Sequence, residues 1–237
     1  MICDEEEIIA RTHNCNYPPQ VLNKPVVSNY PIDYEKLLML KPDLVFAKEG
    51  IISMEEAHKI EEMGIPVYFQ VYKKTDDIFL GLEKLGIVLK KEKRAKKVAD
   101  SLRVLLGKVE KSTKAFSKPT VLMIISKEKI FVYGKDSYAS DMLAKAGGQN
   151  AVDSIFQNAY PSVTTEYILH INPQIVIGTK HVDLHNSFFA MYPELQKIEA
   201  YKNKRIYTVP EELISRPGPR VVEGIELLKN RIHPHAQ

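Results

Sequence analysis

From Glu92 to Phe116 the chain contains no proline and a single glycine, Gly107. Ala95, Val98, Ala99, Leu102, Leu105, Leu106 and Val109 mark one helical face of this stretch, and Lys93, Lys96, Lys97, Arg103 and Lys108 mark the other. The pattern predicts one long amphipathic helix. At about 1.5 Å per residue it spans on the order of 37 Å, roughly the width of a small domain. Its basic stripe reads as a solvated face. A helix of this length in the middle of 237 residues acts as a rigid spine between two halves. The expected organisation is an N-terminal lobe at 1–91, the spine at 92–116 and a C-terminal lobe at 117–237.

Both flanks alternate short strand-like runs with helical ones. Ile8–Ala10, Leu44–Ala47 and Val67–Val71 are β-branched or aromatic and bounded by turn residues. Between them Asp33–Leu40 and Met54–Met63 are helical, with Asp33 as N-cap and Gly64 past the second helix's end. The second half reads as strands at Thr120–Ile125, Ile130–Tyr133, Gln174–Ile177 and Arg205–Val209. Its helices fall at Tyr138–Lys145, Thr165–Ile171 and Arg220–Arg231, and Gly147-Gly148 reads as a helix C-cap. Strand–helix alternation of this kind predicts α/β lobes with mainly parallel sheets.

The lobes share a repeat. Tyr30-Pro31 leads to Glu35 and then to Leu40-Lys41-Pro42-Asp43-Leu44-Val45, and Tyr160-Pro161 leads to Glu166 and then to Ile171-Asn172-Pro173-Gln174-Ile175-Val176. Glu35 and Pro42, like Glu166 and Pro173, are seven apart. Agreement in residue type, order and spacing favours two lobes related by a pseudo-two-fold.

Several function classes fall away. The 33 basic and 30 acidic residues nearly cancel, which gives no reason to expect a nucleic-acid partner. Two cysteines, Cys3 and Cys15, exclude a disulfide scaffold and an all-cysteine zinc site. No apolar run is long enough for a membrane span, and the acidic start Met1–Glu7 has no apolar core of a secretory signal. The phosphate-loop, dinucleotide, nucleophile-elbow and zinc-protease motifs are missing. The richest polar cluster, Arg11-Thr12-His13-Asn14-Cys15-Asn16-Tyr17-Pro18-Pro19, sits where a strand meets a Pro-Pro turn. On an extended chain His13 and Cys15 would point to the same side, as loop-orienting groups, as ligand contacts or as the pair of a small enzyme. His181 and His185 read as surface residues. No metal constellation and no resident cofactor are expected.

Asn16-Tyr17-Pro18-Pro19, Leu40–Val45, Tyr133-Gly134-Lys135-Asp136-Ser137, Gly147-Gly148-Gln149-Asn150 and Arg216-Pro217-Gly218-Pro219-Arg220 occur in an order that resembles one family. It comprises the substrate-binding proteins of ABC importers with a rigid helical backbone, which serve vitamin B12, ferric siderophores and haem. The likeness covers essentially the whole chain and is strongest to the cobalamin-binding branch, through Cys15-Asn16-Tyr17-Pro18. It implies a monomer in the periplasm or another extracytoplasmic location. Such a protein binds a metal chelate in the cleft between lobes and hands it to a permease dimer without doing chemistry on it. The implied docking residues are Glu35 and Glu166, one per lobe. Tyr30 and Tyr160 fall where the family flanks the corrin. Lys48, Phe131, Tyr133, Arg216 and His13 are further ligand candidates, as are Glu211 and Glu212. The absence of tryptophan departs from known B12 pockets and keeps ferric siderophore and haem as alternatives.

The resemblance also implies an element before Ile8. Family members place a strand and helix ahead of the segment matching Ile8–Thr12. The N-terminal lobe is therefore expected to lack its first βα unit in this sequence: either the start lies upstream, or the lobe's sheet is one strand short with an exposed edge and part of its cleft absent.

Overall fold

The computed structural model describes residues 2–27, 31–152, 156 and 158–234. The chain divides into two compact units, one of residues 1–72 and 81–98, the other of 73–80 and 99–237.

In the first unit, α1 (Tyr34–Leu40) starts at Asp33, whose side chain accepts from the Lys36 N–H at 2.9 Å. β1 (Val45–Lys48) follows, then α2 (Met54–Glu62) and β2 (Val67–Gln70). Ser53 and Glu56 form a reciprocal cap at the start of α2, and Gly64, at φ +81°, leaves the helix as expected. β1 and β2 pair in parallel with Val45 opposite Val67 and Lys48 opposite Gln70. Leu37, Ile60 and Ile65 form the centre of this unit's core, with Val45 and Val67 packed against them. Phe46 is half exposed and leans on Tyr68, with ring centroids 6.1 Å apart.

Two helices carry the chain across the unit boundary. α3 (Thr75–Val88) begins in the second unit, where the Thr75 N–H donates to Asp141 Oδ2 at 2.7 Å, and ends in the first. α4 (Glu92–Thr113) begins in the first unit and ends in the second; it is the helix predicted from the uninterrupted amphipathic stretch. Asp4 and Glu7 close over its start, with Lys91 Nζ 3.0 Å and Arg94 Nη1 2.6 Å from the Asp4 carboxylate, and Glu7 on Lys91.

The second unit is built on β3 (Thr120–Ser126), β4 (Phe131–Val132), β5 (Gln149–Asn150), β6 (Ile175–Thr179) and β7 (Ile206–Val209). The order is β4-β3-β6-β7, with β5 also on β3, and every pairing is parallel except β3 with β4. β6 is buried along its whole length, which suits a central strand covered on both faces. The helices are α5 (Tyr138–Lys145), α6 (Thr165–Ile171), the short α7 (Phe189–Met191), α8 (Glu199–Lys202) and α9 (Glu211–Ile214), and α10 (Val221–Ile232). α5 ends at Gly147, φ +85°, as the paired glycines predicted.

The repeat is real at the level of backbone. α1 and α6 are both seven residues long, start from a side-chain N-cap (Asp33, Thr164) and end at a non-glycine residue in the left-handed region. Those end residues are Lys41 at φ 46° and Asn172 at φ 41°. Leu37 and Ile168, each two residues after its glutamate, are buried.

Two expectations fail. Ile8–Ala10 forms no strand; the pairing there is an isolated parallel bridge between Arg11 and Val26. The segment after Arg11 is not extended either. The Cys15 N–H donates to the Thr12 carbonyl at 3.1 Å, closing a turn, so the alternation that would place His13 and Cys15 on one side does not apply.

Candidate functional site

In the second unit, the residues just past the strand ends converge. β4 is too short to hold itself, and the chain at 158–163 braces it. Val132 donates to the Pro161 carbonyl at 3.1 Å, Val163 to that of Ile130 at 2.9 Å and Gly134 to that of Ala159 at 2.9 Å. A Cβ on Gly134 would lie 2.9 Å from the Asn158 carbonyl oxygen, so only glycine permits this approach. The consequence is that Tyr160, half exposed, stands edge-on to buried Tyr133, with ring centroids 5.9 Å apart and planes at 72°. Asn158 Oδ1 accepts from the Tyr160 N–H at 2.9 Å, and Asn150 Nδ2 donates to the Tyr133 carbonyl at 2.9 Å. Burial pushes the Tyr133 phenol well above its ordinary value, and the neighbouring Tyr160 and the charge of Glu211 add to the shift. Tyr133 is therefore a neutral phenol at physiological pH.

Phe131 is partly covered, pairs across an antiparallel bridge with Ser162 and lies under Lys129 Nζ at 5.2 Å. Glu211 opens α9 directly after β7, and its Oε2 lies 3.3 Å from Nε2 of His181, which follows β6. Arg216 is exposed on the loop between α9 and α10, and Glu212 is partly covered. Beyond β6 the chain makes one π-turn, Leu184–Phe188, in which Phe188 N–H reaches the Asp183 carbonyl at 3.1 Å and both turn ends are buried. Sequence reading treated His181 as surface. It is exposed, yet it is the residue that Glu211 engages.

In the first unit, the Arg11 guanidinium gathers the polar loop. Its Nη1 donates to the carbonyls of Thr12 (3.2 Å), His13 (3.1 Å) and Cys15 (3.3 Å). Arg11, then, is the loop's organiser, while His13 and Cys15 are exposed. The Thr12 hydroxyl lies 3.0 Å from Cys15 Sγ. Lys48 ends β1 with Nζ donating to the Glu49 carbonyl at 3.0 Å; burial lowers its pKa, with Glu49 opposing. Beside it an open cavity of about 680 Å³ is walled by Glu49–Glu56, Lys59 and Phe69, none of them a predicted ligand residue. Tyr30 lies outside the described residues.

Glu35 and Glu166 occupy the first turns of α1 and α6 and are exposed. Negative charge at a helix start is favourable in itself. The Glu166 carboxyl is held below its ordinary pKa by its own backbone N–H and then by the Thr164 hydroxyl.

Among the described residues no group of three or more His, Cys, Asp or Glu could hold a metal ion, and no helix is long and apolar enough to cross a membrane. The model of the periplasmic binding protein family matches residues 3–213. The chain belongs to that family. It is thus a binding protein and not an enzyme.

The binding protein is 27% identical to the uncharacterized ABC transporter substrate-binding lipoprotein YvrC of Bacillus subtilis, over 97% of this chain and 74% of the relative. It is 25% identical to the vitamin B12-binding protein of Vibrio campbellii, over 93% of this chain and 79% of that one. Among solved structures, a possible iron-binding (periplasmic solute-binding) protein from Staphylococcus epidermidis superposes with a TM-score of 0.82 at 29% identity, covering 95% of this chain and 90% of the other. The α/β architecture with mainly parallel sheets, read first from strand–helix alternation, is thus the family's own.

Proposed function

We propose that this binding protein carries a metal chelate, with a corrinoid as the first candidate, to the permease of an ABC importer. The observation that carries this reading is the Tyr133–Tyr160 pair, a half-exposed ring backed by a buried one at 5.9 Å. A flat macrocycle is held by apolar burial against such a face, and a rigid backing ring keeps the exposed one from turning away. Similarity to the Vibrio campbellii protein along 93% of the chain supports a corrinoid. The ligand contacts we assign are Tyr160, Tyr133, Phe131 and Arg216 from the second unit, and Tyr30, Lys48 and His13 from the first. Glu35 and Glu166 are assigned to the permease, whose two subunits would meet like charges at matching helix starts. The protein acts as an extracytoplasmic monomer.

A ferric siderophore or haem is the second reading. Likeness to the Staphylococcus epidermidis protein supports it, and so do the cations Lys48 and Arg216, which suit an anionic chelate. Calorimetric titration with cyanocobalamin, ferric catecholates and haem separates the two readings. Stoichiometric binding of cyanocobalamin, weakened about tenfold or more in Tyr160→Ala, is the expected result. Binding of none of the three ends the chelate reading altogether.

A further inference from the structure

The hairpin between β3 and β4 sets a cation at the border of the aromatic face. Ile124 pairs with Val132 and Ser126 with Phe131, so β3 carries one residue more than β4 across this step. A bulge of this kind bends its strand and re-aims the side chains beyond it. The turn that follows is pinned twice. The Ser126 hydroxyl donates to the Lys129 carbonyl at 2.6 Å, and the Tyr192 hydroxyl donates to that of Lys127 at 2.8 Å. Its two lysines are used differently. Lys127 is partly covered and its Nζ donates to Ser187 Oγ at 2.9 Å, whereas Lys129 is exposed with Nζ 5.2 Å from the centre of the Phe131 ring.

Phe131 belongs to the same face as the tyrosine pair. It lies opposite Ser162 in an antiparallel bridge, and two residues further along Tyr133 meets Tyr160. Val132, between them, is fully buried, as alternation along a strand requires. Phe131, Tyr133 and Tyr160 therefore share one face. The Lys129 ammonium stands at its Phe131 end, and the charge of Glu211 is felt at its Tyr133 end. Among the described residues no carboxylate comes within ion-pair distance of Lys129. An exposed aromatic ring is a weak hold for a cation, and a charge-assisted hydrogen bond to a carboxylate or phosphate is a stronger one.

We propose that Lys129 recognises an anionic group, carboxylate or phosphate, on the edge of the bound chelate. The proposal rests on the chelate reading above and adds a charge requirement and a direction to it. The chelate lies against the aromatic face with its anionic edge toward Phe131 and away from Glu211. On binding, the ammonium exchanges the ring for the anion, and the pinned turn keeps its stem in place.

The test is calorimetry on the whole chain with paired probes: ferric haem and its dimethyl ester, and cyanocobalamin and cobinamide, which lacks the phosphate-bearing nucleotide. A ferric catecholate is the fifth probe. For the anionic probe that the unsubstituted protein binds, Lys129→Gln should weaken binding about tenfold, while its neutral-edged counterpart binds both proteins equally. Lys129→Arg should keep the affinity within about twofold, and Lys127→Gln should leave it unchanged. A loss with haem but not its ester identifies a carboxylate; a loss with cyanocobalamin but not cobinamide identifies a phosphate. Unchanged affinity in Lys129→Gln overturns the assignment and leaves the chelate reading intact. Equal weakening of both members of a pair does the same, because it shows a packing role of the lysine stem. So does binding of the ferric catecholate alone, whose charge lies on the coordinating oxygens. Failure of the unsubstituted protein to bind any of the five overturns both.

Discussion

Gly86 and Ala95 approach so closely that a Cβ placed on Gly86 would lie 2.3 Å from that of Ala95. Ala95 is fully buried, and the turn between them is drawn tight by the Lys91 N–H donating to the Gly86 carbonyl at 2.7 Å. Gly86→Ala should therefore cost about 1–3 kcal/mol through overpacking. Gly107, inside α4, has nothing within 4 Å of its missing Cβ. Gly107→Ala should gain about 0.5–1 kcal/mol from helix propensity alone. Urea midpoints of the two variants should move in opposite directions; a shared direction would show that crowding is not what separates them.

The matched ends of α1 and α6 should respond differently to glycine. Lys41 holds a left-handed conformation that glycine adopts without strain, so Lys41→Gly should stabilise by up to about 1 kcal/mol. Asn172 holds the same conformation, but its Oδ1 accepts from the Glu199 N–H at 2.8 Å. Asn172→Gly relieves little strain, because asparagine tolerates that region, and deletes the acceptor, at a net cost of about 1 kcal/mol. Thermal unfolding of both variants checks the contrast.

Acid should loosen the N-terminal segment before it unfolds the rest. The Asp4 carboxyl is held down at about 2, first by Arg94 and then by Lys91, and Lys91 also holds Glu7 below its ordinary value. Depressed carboxyl values stabilise the folded state above the unfolded pKa, near 4, and that contribution is lost as pH falls through the folded value. The window therefore runs from about pH 4 to about pH 2. Because these groups are exposed, salt should weaken the same contribution at neutral pH. Hydrogen exchange of residues near Asp4 should accelerate across that window, and Lys91→Met should flatten the dependence.

Charge reversal at Glu35 and Glu166 should separate delivery from capture. Both side chains are exposed and outside the aromatic pair, so chelate affinity should stay within error, while stability should fall slightly because a cation replaces a favourable anion at each helix start. Uptake by cells carrying the cognate permease should fall steeply with either substitution and further with both. Unchanged uptake in the double variant would remove these helices from the docking surface.

Local patterning made most of the fold legible, and long-range pairing hid the rest. α4, α10 and the strands β3, β4, β6 and β7 follow from periodicity, caps and β-branched runs that the neighbouring chain does not contradict, whereas the two-residue β5 is not read from the sequence. α3 is absent from the helices read in the sequence, and its interior holds two glycines, Gly81 and Gly86. In the fold they are contact points, one against Tyr72 and the other against Ala95. Ile8–Ala10 has strand composition, but isolated pairing at Arg11 does not extend it into a ladder. At the site, Tyr133 and Tyr160 were each visible as aromatic residues, whereas their edge-on packing depends on the bracing of β4 by residues 158–163. Nothing local to His181 announces Glu211; only the adjacency of β6 and β7 does.

The burial of β6 has a consequence for how such a protein can change over generations. Every residue of that strand is sealed inside, while His181, Glu211, Arg216 and Tyr160 all stand on connections beyond strand ends with part of their surface in water. Substitutions there cost little of the margin that keeps the chain folded, so a new cargo can be tried without first strengthening the scaffold. Drift in specificity among relatives that keep one architecture is the outcome this partition of labour allows.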